Sequence, residues 1–350
     1  MAYPKVTIII LNFNGLKDTE LCLKSLLKTK YQNFKAIVVD NGSEKNEAEI
    51  LLKKFKNKKF IFIRLNRNYG FTGGNNKIFP KIKDKYIVLL NNDVEVTPNW
   101  LSILVKTMEK DGRIAVAQPK ILWYKKKEYF DYAGGCGGFI DLFGYPFTRG
   151  RIFETLEKDN GQYDKMCNIF WASGAAMIIR KKTLDKIGYF NEIFFNYMEE
   201  IDLSYRIHRT GYKIVCQPKS VVYHKVASTA SRNMTKKRFW EHRNNLLFIS
   251  INYPLSTLLY VLPLRIILEY ISFFYYLYDK KPDFALAIIQ SQLSLIKNMP
   301  YIFANRFYYK NKNNSKLNNL IFSGSIVFSY FILKRRVFSS LPEFYSKEQD

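Results

Sequence analysis

The chain has 350 residues, 47% of them hydrophobic, enough for one large domain with an accessory piece and too many for general disorder. Lysine and arginine outnumber aspartate and glutamate 55 to 30, and the formal charge of +25 points to a polyanionic partner such as a phosphate-bearing substrate, anionic lipid or nucleic acid. The four cysteines (Cys22, Cys136, Cys167, Cys216) form no CxxC pair, which argues against a zinc ribbon or disulfide framework and suits a reducing cytoplasm.

In chain order, the first run is 6–11 (VTIIIL), with no basic leader or cleavage site ahead of it, so export is not expected. Further apolar runs at 36–40, 60–64 and 86–91 lack alternation, as parallel strands covered on both faces do. Helical spacing falls between them, over 19–30, where Leu21, Leu23, Leu26 and Leu27 lie near one face, and over 47–55. This predicts an α/β fold, Rossmann-like, with helices flanking a mostly parallel sheet. Ligands of such sheets sit beyond the carboxyl ends of the strands, here at Asn12, Asp40 with Asn41, 66–68 and 91–93. From about 120 to 170 the glycine-rich pattern, including Ala133-Gly134-Gly135-Cys136-Gly137-Gly138, predicts loops and short strands lining a cleft. Regular structure resumes as a strand at 174–180, helices at 182–188 and 199–211, and two strands at 213–216 and 220–223.

Past about 236 the composition changes to Leu, Ile, Tyr and Phe interleaved with basic residues, which predicts a division into residues 1–240 and a helical region over 241–350. The run 255–278 contains Pro263, Arg265 and Glu269, and a charge at a bilayer centre costs about 2.5–3.5 kcal/mol, so spanning is disfavoured. Arg265 and Glu269, spaced i, i+4, are expected to pair and mark a polar face. The run 320–333 is short of the roughly 20 residues needed to cross and is followed by Lys334-Arg335-Arg336. Both runs are expected to lie in a membrane interface, with Arg265 and 334–336 meeting headgroup phosphates; the contrasting reading is ordinary packed helices of a soluble accessory domain with solvated basic residues.

Three groups of residues bear on chemistry. Asp40, ending a strand, can accept from a nucleoside, with Asn12 beside it; Asp-Asn-Gly-Ser is also turn chemistry in its own right. Asn91-Asn92-Asp93 and His224 offer oxygen and nitrogen donors that suit a divalent cation, Mn2+ or Mg2+, although each also reads as an ordinary turn or structural residue. Glu199, Glu200 and Asp202 crowd the start of a helix, either as routine macrodipole decoration or as carboxyls whose pKa is raised for proton transfer.

Six segments stand in register with one family: VTIIILNFNG, IVVDNGS, NRNYGFTGGNN, YIVLLNNDVEVTPNWL, the stretch from Trp171 to Ile214, and VVYHKVAST. Over residues 5–250 the chain resembles the family 2 glycosyltransferases of GT-A fold, in their rhamnosyltransferase-like branch. The resemblance implies a metal-dependent, inverting transferase. It implies nucleotide-sugar contacts from Asn12, Asp40, Asn68, Gly73, Asn75, Asn92 and Gly174, metal binding by Asp93 and His224, and a general base at Glu200 with Glu199 beside it. Asn91 stands where the metal motif usually has Asp, and Glu200 where the base is usually Asp. The implied partners are a dTDP- or UDP-sugar donor, a glycan or lipid-linked saccharide acceptor and an anionic membrane surface at the cytoplasmic face, with self-association of the chain open. No nucleic acid is expected, since the lysines of 53–59 come with no nucleic-acid motif. The contrasting reading is a catalytically weak nucleotide-sugar-binding scaffold in a surface-glycan assembly complex.

Overall fold

The computed structural model describes residues 4–225, 234–308 and 319–344. The amino-terminal runs form β1 (Val6–Asn12), β2 (Phe34–Asp40), β3 (Phe60–Arg64) and β4 (Tyr86–Leu90), parallel neighbours in the spatial order β4-β1-β2-β3. Alternate residues serve two different cores. Val6, Ile8 and Ile10 pack on one face with Val38 and Val88, while Ile9 packs on the other with Ile37, Val39 and Leu89. A strand buried on both sides has no polar face to show, hence the unbroken apolar runs.

The connecting helices are α1 (Leu16–Leu26), α2 (Glu47–Lys54) and α3 (Gly70–Asn76). Helix α1 starts and ends earlier than the spacing suggests. Its buried face is Thr19, Cys22, Leu23 and Leu26, whereas Leu21 and Leu27 are exposed, because only the i, i+3, i+4 set reaches the sheet. Helix α3 forms over Gly-Phe-Thr-Gly-Gly-Asn-Asn, a sequence of poor helix propensity. Glycine eases close approach there, since a Cβ on Gly74 would come within 3.1 Å of the Leu11 side chain and push it aside by a few tenths of an ångström.

Beyond β4 come β5 (Val94–Val96), α4 (Trp100–Lys110), β6 (Ile114–Trp123) and β7 (Lys126–Phe130). Then follow the short strands β8 (Gly138–Asp141), β9 (Pro146–Thr148), β10 (Arg151–Ile152), β11 (Thr155–Leu156) and β12 (Cys167–Asn168). Three longer elements complete this half: β13 (Ala176–Arg180) with α5 (Lys181–Ile187), α6 (Glu199–Arg209), and β14 (Lys213–His224). The main sheet runs β12-β14-β6-β13-β4-β1-β2-β3 and is mixed, since β13 lies antiparallel between β4 and β6. β6 continues as regular strand to Trp123, past the point where irregular structure was expected. β14 is one strand rather than two. Its register against β6 slips between Gln217 and Val221, a bulge at the place where the sequence suggested a break.

Four helices follow, α7 (Met234–Asn252), α8 (Leu255–Tyr278), α9 (Pro282–Lys297) and α10 (Met299–Tyr308), and then β15 (Ile321–Phe322) and α11 (Ile326–Phe331). Leu246 to Ile249 of α7 join the same apolar core as β1, β4 and β13. β15 extends the small sheet β11-β10-β9-β8 along the edge of β8. The run 320–333 is therefore strand, turn and a six-residue helix, not one interfacial helix.

Helix α8 is amphipathic in the inverted sense. Arg265 and Glu269 pair as expected, at 2.5 Å, but they are 2% and 0% exposed and face inward. Arg265 lies over the Tyr145 ring and donates to Asn245 at 3.1 Å, and His242 contacts Glu269 at 2.5 Å. Arg265 is thus out of reach of any headgroup, correcting the sequence expectation. The apolar residues point outward: Leu259, Ile267, Ile271, Phe274 and Tyr278 are exposed, with Leu286, Leu293 and Ile296 of α9. Among the described residues α8 is the one helix long and apolar enough to cross a membrane by length and composition.

Candidate active site

At the carboxyl ends of β1, β2 and β4 the expected nucleotide residues meet, already bonded to one another. Asp40 accepts the Ser43 N–H at 2.9 Å on one oxygen and the Glu47 and Ala48 N–H groups at 3.1 and 3.4 Å on the other, the turn role its local sequence allows. Asn12 donates to Glu47 at 2.7 Å, while its carbonyl accepts from Thr19 at 2.9 Å and from Asn92 at 3.2 Å. Asn68 accepts the Gly70 N–H at 2.8 Å and the Asn41 amide at 3.2 Å, and Asn41 also caps Tyr69 N–H and Gly70 C=O, stitching two loops together. Gly42, at φ +78°, lets these loops touch: a Cβ there would lie 2.3 Å from the Arg67 backbone. Asn75 donates to Phe71 C=O within α3, and Gly73 faces Tyr69.

Asp93 follows β4, and His224 ends β14, whose last residues pair with β5; this pairing brings the two together. His224 Nε2 lies 3.1 Å from an Asp93 oxygen, misaligned for a hydrogen bond, and His224 Nδ1 lies 3.1 Å from Asp131. Burial disfavours the imidazolium, yet the Asp131 and Asp93 carboxylates outweigh it and raise the His224 pKa well above the usual value. Burial also opposes ionisation of Asp93, and His224 outweighs it, lowering that carboxyl. Among the described residues no group of three His, Cys, Asp or Glu side chains is set to enclose a metal ion. The donor set nonetheless fits one. Asp131 on Nδ1 orients the ring with Nε2 toward Asp93, so one nitrogen and one carboxylate stand together, and Mg2+ or Mn2+ would take its other ligands from water and phosphate.

Glu199 and Glu200 open α6, the first buried and the second half-buried. Burial pushes the Glu200 carboxyl up to about 7, against the pull of its own backbone N–H and that of Gly174. Glu199 is raised well above the usual carboxylate range by burial first and by Glu200 second. The Oε2 atom of each has no hydrogen-bond partner among the described residues. Asp202, the third acid of the cluster, faces elsewhere: it pairs with Arg206 at 2.9 Å and accepts from Asn252 at 2.9 Å.

Gly174 joins the parts, since it touches Glu200 while the next residue, Ala175, accepts the Asn91 N–H at 2.9 Å. A Cβ on Gly174 would meet the Phe71 ring at 2.8 Å, so this junction requires glycine. Two contributors were not evident from the sequence. Asp131 is a lone acid after β7 with no motif around it. Asn244 of α7 is fully buried and donates from Nδ2 to the carbonyls of Phe194, Asn196 and Tyr197, each at 2.8 Å. Phe195, Tyr197 and Met198 have positive φ, so Asn244 clasps a strained loop that leads into Glu199. The signal for it was two consecutive asparagines, Asn244-Asn245, inside a helix that otherwise favours neither.

Sheet order and the helices that flank it define a GT-A fold, with a polar network at the strand ends, an Asp–His pair after β4 and β14 and the carboxyls that open α6 as its candidate site. Two solved structures share that fold: GalNAc-T7 with UDP, GalNAc and Mn2+, and the mannosyltransferase PcManGT from Pyrobaculum calidifontis with GDP-Man and Mn2+. The first has a TM-score of 0.57 and 18% identity, covering 71% of this chain and 48% of that one; the second has 0.54 and 13%, covering 88% and 85%. Residues 7–188 match glycosyl transferase family 2, and the chain belongs to that family. It is 24% identical over 247 residues to the O-antigen biosynthesis protein RfbC of Myxococcus xanthus, covering 68% of this chain and 18% of that protein. It is 25% identical over 245 residues to the uncharacterized protein y4gI of Sinorhizobium fredii, covering 67% of this chain and 26% of that protein. It is 21% identical over 261 residues to the N-acetylglucosaminyl-diphospho-decaprenol L-rhamnosyltransferase of Mycobacterium tuberculosis, covering 69% and 83%. The chain therefore spans well under two thirds of the first two relatives and most of the third.

Proposed function

We propose that this chain is an inverting glycosyltransferase that moves a sugar, rhamnose in the reading we favour, from a dTDP- or UDP-linked donor to a lipid-linked or cell-surface glycan acceptor. The observation that carries the reading is Glu200, a half-buried residue whose carboxyl is raised to about 7 with one oxygen unpartnered, and which meets Gly174, whose neighbour Ala175 bonds Asn91 two residues ahead of Asp93. A base near neutrality can take the acceptor hydroxyl proton as the acceptor oxygen displaces the diphosphate from the opposite face of the sugar. Asp93 and His224 would hold the divalent cation, which when bound supplies positive charge to the leaving diphosphate. Asn12, Asp40, Asn68, Gly73, Asn75 and Asn92 shape the nucleotide cradle, and Gly174 borders the donor sugar.

In this reading residues 1–240 are the catalytic domain and 241–350 the membrane-associating region. The exposed apolar faces of α8 and α9 rest shallowly on the cytoplasmic leaflet, with exposed Lys280, Lys281, Lys334 and Arg336 near anionic headgroups. The relative from Mycobacterium tuberculosis, by its name, acts on a lipid-linked acceptor, which supports this placement. The test is a radiolabelled sugar-transfer assay on the full chain with a panel of dTDP- and UDP-sugars, Mn2+ and lipid-linked acceptors. Transfer that falls by about 10²-fold or more in Glu200→Gln is the expected result. Tight nucleotide-sugar binding with no transfer to any acceptor would replace this reading with the scaffold.

A further inference from the structure

Arg151, in β10, is 9% exposed, and its Nε–H meets no acceptor among the described residues. One Nη1 hydrogen bond reaches Phe153 C=O at 3.3 Å, and the guanidinium lies over the Tyr132 ring, 4.1 Å from its centroid. No carboxylate among the described residues lies within ion-pair distance of it. Two acids, Glu154 and Glu241, act on the same tyrosine. Glu154 is solvent-exposed and pairs with no cation among the described residues, and Glu241 is engaged by Arg238 at 2.8 Å and more loosely by Lys237 at 3.8 Å. A guanidinium taken out of water without a counter-ion is costly, so the missing partner here is an anion.

The position of this cation says which kind of anion. Tyr132 directly follows Asp131, the residue that orients His224. Lys237 lies over Tyr132 at 5.6 Å and over Tyr197 at 5.9 Å, and Tyr197 stands two residues ahead of Glu199. Cations on two separate elements therefore share tyrosine rings that belong to the chain segments carrying Asp131 and Glu199. Arginine and lysine at such a place suit phosphate oxygens.

We propose that Arg151 and Lys237, walled by Tyr132 and Tyr197, form an anion subsite that takes the phosphate or diphosphate group of the acceptor. The inference rests on the transferase reading above. Phosphate can reach this spot from two sources, the acceptor or the leaving nucleotide diphosphate. The acceptor is favoured because Asp93 and His224 already serve the nucleotide in that reading. Lys237 also belongs to α7, the helix on which the outward-facing α8 and α9 are packed.

The test is calorimetric titration of the full chain in Mn2+ with two probes, UDP (or dTDP, whichever binds tighter) and geranyl diphosphate. Geranyl diphosphate is expected to bind the wild type with the nucleotide site saturated. Arg151→Ala should weaken it by about tenfold or more, the scale of a charge-assisted hydrogen bond, with nucleotide affinity unchanged. Arg151→Lys should recover part of the loss. If Arg151→Ala lowers the melting temperature, the comparison passes to the partly exposed Lys237, where Lys237→Ala should weaken geranyl diphosphate and spare the nucleotide. Unchanged geranyl diphosphate binding in well-folded variants overturns the subsite. Competition between the probes, with both weakened by the same factor, overturns the acceptor assignment and hands the cations to the leaving nucleotide. Failure of the wild type to bind either nucleotide would instead strike at the transferase reading itself.

Discussion

The two halves of the main sheet treat their polar groups in opposite ways. On the β1-β2-β4 side Asn12, Asn92, Asp40 and Asn41 are buried, and each of them, like the exposed Asn68, is held by side-chain or backbone partners within the chain. On the β6-β14-α6 side Asp131, Glu199 and Arg151 are buried and Glu200 half-buried, yet each keeps a polar atom without a hydrogen-bond partner among the described residues, and the buried His224 meets two carboxylates. Satisfied networks rigidify a fold, whereas unsatisfied buried groups cost stability and persist where a ligand completes them. The first half is a cradle whose shape is made in advance. In the proposed reading the second holds charge in reserve for metal, phosphate and proton.

The strongest way to break this contrast is at the metal pair. Asp93→Ala, or excess EDTA on the wild type, is expected to abolish sugar transfer and to weaken nucleotide binding in parallel. Full activity in EDTA would remove the cation from the mechanism.

Next in size is the base. Glu200→Gln should lower turnover by about 10²-fold or more while leaving nucleotide affinity intact. A variant turning over near the wild-type rate would take Glu200 out of the mechanism and direct attention to Glu199. The same substitution sharpens the contrast through stability. A carboxyl raised from its ordinary 4.5 to about 7 stays protonated in the fold where the unfolded chain has already ionised. Stability from this group is therefore present below about pH 4.5 and is lost as pH rises to about 7. Glu200→Gln should melt higher than wild type at pH 8 and no higher at pH 4.5, and wild-type kcat/KM should fall as pH drops through about 7. Equal melting curves at pH 8 would mean that the carboxyl is not under strain.

Asn244 lies on the satisfied side of the contrast although it serves the unsatisfied one. Asn244→Ala removes three hydrogen bonds to the 194–197 loop, and leaving buried carbonyls unpaired costs about 1–3 kcal/mol. Turnover should fall by roughly tenfold, with donor KM little changed, because a loosened loop misplaces Glu200 by a fraction of an ångström. A melting shift with unaltered turnover would reduce Asn244 to a packing role.

The smallest effects belong to the outward face of α8. Ile271→Glu and Phe274→Glu replace exposed side chains, so folding stability should change by no more than about 0.5 kcal/mol. Each should nonetheless weaken cosedimentation with anionic vesicles, and wild-type binding should fall as salt rises, since each basic residue near the surface contributes about 1 kcal/mol. Undiminished binding in the double variant would place membrane contact elsewhere on the chain.

Much of this was legible in the residues. The four apolar runs became the four parallel strands because burial on both faces leaves a local signature that no tertiary contact has to supply. The candidate residues fell at the ends of those strands for the same reason, and six segments in register indicated the family that residues 7–188 match. Other features were decided only when distant parts of the chain met. Helix α3 contradicts its own propensity because glycine lets it lie against Leu11. Asp131 acquires its role through His224, 93 residues away, and Arg151 through a tyrosine and a helix that follows much later. The polar stripe of α8 reads like a solvent face, and its spacing is correctly that of a pair. Which way it points is set by Tyr145, His242 and Asn245, and their arrival turns a charged face inward and leaves an apolar one outside. Periodicity specifies that a helix has two faces; only the partners that desolvate one of them determine which becomes the interior.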